Sequence, residues 1–409
     1  MKIASLLLGG ALAAAAVASA AEKLTVTVTR DDAAARAGEA IVVPWTEVGP
    51  HLTGLVFDQV DVRDASGAVI PSQVTAFHHV HKGPQVYDEL IFQHDFAAGE
   101  KSATFTVEKR SHPRAPFPAR VAARYVPERY DDFAWENDRM AHRAYGPALE
   151  LPSATKDQMT SSGIDFWSKR VDYLVVDGWY HKGHDGLHTD TGEGLDMYDV
   201  GTYRGLGGTG IWDGQELHVS RDYHAWKIYA NGPIHADFEL DYEPWDAGNV
   251  WDSGNGVMVS EAKRVTVEAG RNLDGFASTF AFKPARGSDG LLTVAIGLTK
   301  HSKKAKVSVS RDETTHRISL WEEFKDPVDG SLGTAVLLDP SAKFTGFAET
   351  PNDVLILVKV SAGEPVRYLA GGGWDKAGEF KTAADWESYL NAFAARLRAP
   401  VHVTVAEAP

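Results

Sequence analysis

Hydrophobic and polar residues alternate with a period of two along much of the chain from Leu24 onward. The alternation is clearest at residues 24–28, 60–62, 265–267, 306–310 and 401–405. Such segments, rich in β-branched residues and interrupted by 38 glycines and 19 prolines, are typical of antiparallel strands that bury one face. The pattern predicts a mostly-β protein.

One segment near the end of the chain has the period of a helix instead. Its apolar residues follow an i, i+3, i+4, i+7, i+11 spacing at Trp386, Tyr389, Leu390, Phe393 and Leu397. Residues 382–385 resemble a capping box, and Pro400 ends the pattern. We therefore predict a C-terminal helix that begins at Ala383 and packs on the sheets through its apolar stripe.

A domain boundary is predicted at residues 109–118, where three prolines and several polar residues interrupt the strand pattern. Residues 21–110 are enough for a small N-terminal β-sandwich. Residues 111–409 predict a larger antiparallel β-sandwich that carries the C-terminal helix. Its long connections, rich in Trp, Tyr, Gly and His, are the expected place for binding groups.

Composition and charge exclude several classes of function. The formal net charge is -15 and there is no cysteine. An acidic protein of this kind is not expected to bind nucleic acid or anionic membranes, and disulfides, thiolate nucleophiles and Fe–S clusters all need cysteine. Residues 1–20 predict a signal peptide cut near Ala20, and no later segment predicts a membrane span. We expect a periplasmic or secreted protein.

Residues 130–147 hold the first group of candidate site residues. On a single strand, one face would present Trp135, Asn137, Arg139, Arg143 and Tyr145. An amide and two guanidiniums suit the binding of a carboxylate, which Arg grips with two parallel hydrogen bonds. The alternative is a sheet face on which these cations pair with nearby Asp and Glu. His142 and Tyr145 are candidate catalytic residues in the same segment.

Residues 177–201 are rich in glycine, histidine and carboxylates. His181, His184, His188 and Asp190 are candidate ligands for a divalent metal, although their spacing matches no known motif and the glycines argue against a helix. Glu193 is a candidate substrate-binding residue. With Asp196 it is also a candidate carboxylate pair of a glycosidase. The alternative is a solvated loop.

Residues 220–233 combine His224 with Tyr229, two side chains that can exchange protons without a cofactor. Both are candidate catalytic residues, although a histidine beside a tryptophan is often a core residue. Trp135, Trp179 and Trp226 are candidates for stacking against sugar rings.

Five runs in these and other segments are DELIF (88–92), WENDR (135–139), GEGLD (192–196), ANGP (230–233) and AGGGW (370–374). Together they resemble a secreted bacterial family of about this length that has long been called a domain of unknown function. Its members are encoded among genes for degrading uronic-acid polysaccharides, and it looks like a relative of the galactose-mutarotase-like β-supersandwich proteins. The resemblance covers the chain from about Leu24 onward and implies a setting more than a reaction, since fold alone does not establish chemistry.

The resemblance implies a lyase or dehydratase that acts on uronate-containing oligosaccharides by β-elimination. Asn137, Arg139 and Arg143 would neutralise the uronate carboxylate, and His and Tyr would move the protons, so no cofactor is required, although a divalent metal is possible. Two other classes stay open. One is a glycoside hydrolase or a mutarotase-type epimerase that uses Glu193 as a base, and the other is a non-catalytic periplasmic sugar-binding protein.

Overall fold

The computed structural model describes residues 23–52, 59–77, 86–110, 114–251 and 256–408. The predicted signal peptide at residues 1–20 lies outside these ranges. Among the described residues, no helix has both the length and the apolar character needed to cross a bilayer.

Two small sheets, built mainly from the first part of the chain, pack face to face around their own hydrophobic core, and we call this unit the first domain. Its strands from the first part of the chain are β1 (Lys23–Thr29), β2 (Arg36–Pro44), β3 (Val60–Arg63), β4 (Val69–Ile70), β5 (Ser72–Thr75), β6 (Glu89–Phe96) and β7 (Ser102–Lys109). One sheet contains β1, β7, β3 and β4, and the other has the order β2-β6-β5. Alternate residues of the two sheets, such as Val26, Phe92 and Val107, form a separate hydrophobic core between them.

The second domain begins with a five-stranded sheet, which has the order β12-β11-β10-β9-β8. The elements of this part of the chain are β8 (Val121–Val126), β9 (Asp132–Asn137), β10 (Met140–Ala144), β11 (Ile164–Lys169), α1 (Val176–His181), α2 (Gly183–Leu187) and β12 (Gly194–Leu195). Short 3-10 helices lie at Trp45–Glu47, Pro147–Glu150, Pro152–Asp157 and Asp375–Ala377.

The remaining strands, apart from β26, form two more antiparallel sheets. The elements are β13 (Leu206–Trp212), β14 (Leu217–His218), β15 (Ala225–Asn231), β16 (His235–Asp246), β17 (Met258–Glu268), β18 (Asp274–Phe282), β19 (Leu291–Thr299), β20 (Ala305–Asp312), β21 (Arg317–Phe324), β22 (Ser331–Leu338), β23 (Lys343–Glu349), β24 (Asp353–Ser361), β25 (Pro365–Trp374), α3 (Ala383–Arg398) and β26 (His402–Glu407). A five-stranded sheet has the order β14-β13-β19-β24-β23. An eight-stranded sheet has the order β15-β16-β17-β18-β25-β22-β21-β20.

The eight-stranded sheet packs one face against both five-stranded sheets, and the main hydrophobic core lies between them. Phe238, Val265 and Phe276 point into this core from neighbouring strands. The mostly-β, antiparallel sandwich predicted from the sequence is confirmed.

The C-terminal helix is confirmed as well. The Thr382 side chain accepts a hydrogen bond from the backbone N–H of Asp385, and the Asp385 side chain accepts from the backbone N–H of Thr382, which completes the capping box. Trp386 and Leu390 pack on the outer face of the eight-stranded sheet, away from the main core.

The last described strand departs from the predicted domain boundary. β26 pairs antiparallel with β1 over residues 402–407, so it adds an edge strand to the first domain. A division at residue 111 does not anticipate this return, because the alternating pattern of an edge strand carries no information about its partner.

The first domain docks onto the second through polar contacts on two sides. The Gln73 amide donates to the carbonyl of His235 at 2.9 Å, and the Arg36 guanidinium donates to the carbonyl of Ala399, just after α3, at 2.7 Å. Arg396 of α3 also pairs with Glu39 at 2.7 Å. These contacts hold the first domain and α3 at fixed positions on the outer face of the eight-stranded sheet.

We expect the substitution Gly333→Ala to lower the free energy of unfolding by about 1–3 kcal/mol, because overpacking of a filled core has this cost. A Cβ at Gly333 would lie 2.6 Å from Cγ of Trp386, the central contact of α3. The matched control is Gly178→Ala in α1, where a Cβ meets nothing within 4 Å. Denaturant unfolding of both variants tests the contact, and equal stability of Gly333→Ala and the wild type would show that α3 does not pack as described.

Candidate functional site

The first candidate segment is a hairpin and not one strand. β9 and β10 pair antiparallel, and Asp138 and Arg139 form the turn between them. Asn137 is fully buried, and its side-chain oxygen accepts hydrogen bonds from the backbone N–H groups of Arg139 at 2.8 Å and Met140 at 3.0 Å. Asn137 therefore shapes the turn and does not reach a substrate, contrary to the prediction.

Arg139 stands at the tip of this turn. Its side chain is 45% exposed and lies 3.6 Å from the Glu379 carboxylate. It lines two clefts of about 70 and 440 Å³, and no other residue predicted for the site lines either of them. Arg139 is accessible, but it does not share a cleft with the predicted catalytic residues.

His142 and Trp135 lie stacked in the main core, with ring centroids 5.2 Å apart. The His142 Nδ1–H donates to the Asp165 carbonyl at 3.0 Å, and Nε2 lies 3.6 Å from Oδ2 of Asp274. Trp135 donates to the same Oδ2 at 2.8 Å. Burial lowers the pKa of His142 to about 4 and raises the pKa of Asp274 to about 8. His142 is thus a neutral core histidine, and the predicted catalytic role does not fit this position.

Arg143 is buried among three carboxylates. Its Nε and Nη2 donate to Oδ2 of Asp165 at 3.0 and 2.5 Å, Nη2 lies 3.3 Å from Asp196, and Nη1 lies 3.8 Å from Asp132. Burial raises the pKa of Asp132 to about 6. The Tyr145 ring packs 5.1 Å from the guanidinium and is also buried. The salt-bridged sheet face is therefore the arrangement observed, and Arg143 and Tyr145 are occupied within the protein.

Residues 176–187 form the two short helices α1 and α2, although the glycines of this segment argued against a helix. The two helices are short, with six and five residues. Trp179 of α1 packs on Trp167 of β11, with ring centroids 5.7 Å apart. Burial of this ring explains why the segment is ordered against the sheet. The Glu193 carboxylate accepts from Trp179 Nε1 at 3.1 Å and from Lys182 Nζ at 2.6 Å. Glu193 therefore holds α1 in place, whereas Asp196 faces Arg143. The two carboxylates do not form a pair.

The candidate metal ligands have separate partners. The Nδ1–H of His181 donates to the Asp177 carbonyl and that of His188 to the Asp196 carbonyl, both at 2.6 Å, and Asp190 pairs with Arg170. The side chain of His184 lies outside the described part of the chain. Within the described part, no three His, Asp or Glu side chains are arranged to hold a metal ion.

The third segment divides between two faces. Trp226 stacks on Tyr125 at 5.3 Å and is 42% exposed. Tyr229 lies on the other side of β15, where the Lys227 Nζ lies 4.3 Å from its ring centre. His224 is exposed and comes just before the strand. It lies two residues before Trp226, so in an extended chain it points to the same side as Trp226. His224 and Tyr229 therefore lie on opposite sides of this segment, which does not fit the prediction that they exchange protons with one substrate.

Tyr229 instead contacts Glu239 and Arg264, which line a groove on the outer face of the eight-stranded sheet that we call the sheet groove. The groove has a volume of about 520 Å³. Its lining includes Glu239, Ala262, Arg264, Thr266, Ala277 and Arg367. Small side chains on β17 and β18 leave the floor open, while Leu397 of α3 closes one end.

Glu239 and Arg264 of the sheet groove form a connected polar cluster with Tyr229. The Tyr229 hydroxyl donates to Oε1 of Glu239 at 3.2 Å, and the Arg264 guanidinium lies 4.8 Å from the Tyr229 ring centre. Arg264 donates to both oxygens of buried Asp237, at 2.7 and 2.5 Å. This bidentate pairing uses Nε and Nη2 and orients the guanidinium beside Tyr229.

The charges of this cluster are tuned by burial and by each other. Burial, with the Glu239 carboxylate, raises the pKa of Tyr229, so the hydroxyl is protonated at neutral pH. The hydrogen bond to Asp237 raises the pKa of Arg264. Burial also raises the pKa of Glu89 on β6, which interacts with the charges of Asp237 and Arg264. Perturbed groups that meet at a cleft are a mark of functional sites.

A second cavity adjoins the cluster at the seam between the two domains, and we call it the seam cavity. Its volume is about 700 Å³, and it is lined by β5, by residues 114–117 and by 229–233 of β15 and the following turn. Tyr229 thus stands between the two cavities. The sequence pattern singled out Tyr229 but missed Glu239 and Arg264. The signal present was the alternation of polar Asp237, Glu239 and Asp241 with apolar neighbours on β16.

The fold defines a β-sandwich protein with an open polar sheet face. Residues 28–403 match the family described as "Domain of unknown function (DUF4861)", so the chain belongs to that family. It is 29% identical over 385 residues to "Uncharacterized protein P7" of Formosa agariphila, an alignment that covers 90% of each chain.

Two solved structures from Enterococcus faecalis are similar in fold. An α-mannosidase is matched with a TM-score of 0.50 and 9% identity, over 95% of this chain and 46% of that chain. A protein of glycosyl hydrolase family 38 is matched with a TM-score of 0.48 and 10% identity, over 94% and 47%. The chain spans about half the length of these structures, and at this identity the likeness shows the β-rich fold alone.

We expect the substitution Asp274→Asn to make the free energy of unfolding less dependent on pH. The folded pKa of Asp274 is about 8, well above the value of an unfolded chain, so the unfolded state releases this proton first and stability falls as pH rises from about 4 to about 8. An amide does not titrate, so the variant should lose this pH dependence. In the wild type, this carboxyl changes the free energy of unfolding by at most about 1.4 kcal/mol per pH unit. Urea unfolding at pH 5 and pH 8 measures it, and an unchanged pH dependence would contradict the burial of a protonated carboxyl beside His142.

Proposed function

We propose that this protein is a carbohydrate-active lyase that acts on uronic-acid-containing oligosaccharides by β-elimination in the sheet groove. The observation that supports it most is the hydrogen-bonded pair of Tyr229 and Glu239 beside the Arg264 guanidinium, on an open sheet face. The pair supplies a proton donor and a proton acceptor, and the guanidinium supplies the counter-charge for a carboxylate.

The reaction needs three groups, and the cluster offers one for each. Arg264 would bind the uronate carboxylate through Nη1, which its bidentate pairing with Asp237 does not use. Glu239 would take the C5 proton as the C4–O bond breaks, and Tyr229, protonated at neutral pH, would give its proton to the departing oxygen. Transfer of the proton from Glu239 back to Tyr229 restores the site, and the product carries a C4=C5 double bond. No step of this proposal uses a metal or a cofactor.

A glycoside hydrolase is the second candidate, and Glu89 is the reason. Its raised pKa suits a general acid, and Glu239, which also interacts with the charge of Arg264, offers a second carboxylate. A hydrolase would give saturated products, which lack the far-UV absorbance of a C4=C5 double bond. Each would be heavier by one water than the corresponding unsaturated product of a lyase. A lyase would give an absorbing product, so one incubation with product mass analysis separates the two classes.

We expect Tyr229→Phe to lower the elimination rate on the order of 10²-fold or more, because the departing oxygen loses its proton donor. The matched control is Tyr173→Phe, since the Tyr173 hydroxyl also donates to a glutamate, Glu193, at 2.8 Å. Far-UV absorbance on uronate oligosaccharides measures the rate, and circular dichroism checks the fold. If Tyr173→Phe abolishes turnover and Tyr229→Phe does not, the proposal is wrong and the active site lies near Glu193 and α1.

The stereochemistry gives a further expectation. Glu239 and Tyr229 are hydrogen-bonded to each other, so the base and the acid would approach the sugar from the same side. Glucuronate has its C5 hydrogen and C4 oxygen on one side of the ring, whereas galacturonate has them on opposite sides. We therefore expect glucuronate-containing oligosaccharides to react at least about tenfold faster in kcat/KM. Faster turnover of galacturonate would require the acid and base to come from opposite walls.

A further inference from the structure

The seam cavity differs in charge from the protein as a whole. The chain carries a formal net charge of -15, yet the charged side chains that line this cavity are Arg110 and Arg114, and no carboxylate lines it among the described residues. Both arginines belong to the segment that the sequence analysis assigned to a domain boundary. A local excess of positive charge dominates within a Debye length of roughly 8–10 Å.

The two arginines share a single carboxylate. Arg110 Nε and Arg114 Nε lie 3.2 and 3.1 Å from the same oxygen of buried Asp61, and Arg63 lies 3.8 Å from the other oxygen. Arg63 has a second carboxylate partner, Glu108, at 2.6 Å, whereas Asp61 is the carboxylate that both Arg110 and Arg114 contact among the described residues. Three guanidiniums therefore meet two carboxylates in the described part of this cluster, which leaves one positive charge in excess near the wall of the cavity.

The same wall offers an aromatic surface. The Arg114 guanidinium lies 3.7 Å from the centre of the Phe117 ring, which fixes the position of both groups. Tyr229 and Asn231 of β15 also line the cavity. A saccharide whose reacting sugar lies at Tyr229 and Glu239 would therefore place its neighbouring sugar between Phe117 and β15.

We propose that the seam cavity is a subsite for the sugar next to the reacting uronate, and that it selects a sugar with a second anionic group, a carboxylate or a sulfate ester. Arg110 and Arg114 bind that group, and Phe117 packs against the ring. This inference rests on the proposed function for the position of the reacting sugar. It makes the substrate an oligosaccharide with an anionic group on each of two adjacent sugars.

The test is a binding measurement that does not depend on turnover. Calorimetry is performed with three disaccharides: a glucuronosyl-glucose with a neutral neighbour, a diuronate, and a chondroitin disaccharide with a sulfate ester. The proteins are the wild type, Arg110→Gln, Arg114→Gln and the control Arg286→Gln, which removes one charge from an exposed turn outside both cavities. Each arginine variant of the seam cavity leaves the other arginine to pair with Asp61.

We expect the wild type and the control to bind at least one disaccharide with an anionic neighbouring sugar about tenfold more tightly than glucuronosyl-glucose. Arg110→Gln and Arg114→Gln should lose most of this preference and change the affinity for glucuronosyl-glucose less than about twofold. Preference for the diuronate identifies a carboxylate, and preference for the chondroitin disaccharide identifies a sulfate ester. Equal binding of all three by the wild type, or an equal loss in all variants including the control, overturns the subsite.

The two proposals fail in different ways. If the charge preference is found but no unsaturated product forms from any substrate, the lyase proposal fails and the anionic subsite stands. If elimination occurs with the same KM for neutral and anionic neighbours, the lyase proposal stands and the anionic subsite is refuted.

Discussion

The eight-stranded sheet is buried on one face and only partly covered on the other, and this asymmetry determines the rest of the structure. Residues such as Phe238 and Val265 fill the main core, so their neighbours Glu239 and Arg264 must face outward. α3 covers one end of that outer face and the first domain covers the other. What stays open between them is a strip whose polar side chains are held by rigid strands, which is where precise chemistry is most easily supported.

The sequence was informative about local structure and less so about pairing. Alternation identified the strands, and the capping box at Thr382 identified α3, because both signals are local. The hairpin at Asn137 was missed because the alternation continues through its turn, while the Asn137 side chain, by binding two backbone N–H groups, reverses the chain. Arg264 was missed because an outward-facing arginine resembles any solvated residue until the elements at both ends of its face are known.

Several residues that looked chemical are structural. His142, Arg143 and Tyr145 are reactive types, but they lie in a core where each contacts other buried side chains or backbone groups. An arginine with three buried carboxylates is costly to desolvate and is therefore a poor source of stability by itself. Such networks favour one arrangement of strands over others, because a misplaced strand would leave their charges unpaired.

The pairing of β26 with β1 affects the order in which the chain can assemble. The first domain contains seven strands from residues 23–109, but one edge of its first sheet remains unpaired until residues 402–407 arrive. During synthesis that edge is exposed while the whole second domain emerges, and an open edge is a template for pairing with another chain. The first domain can therefore be completed only after the second domain has been synthesised. A prematurely terminated chain would keep an unpaired strand edge, which chaperones and quality-control proteases could recognise.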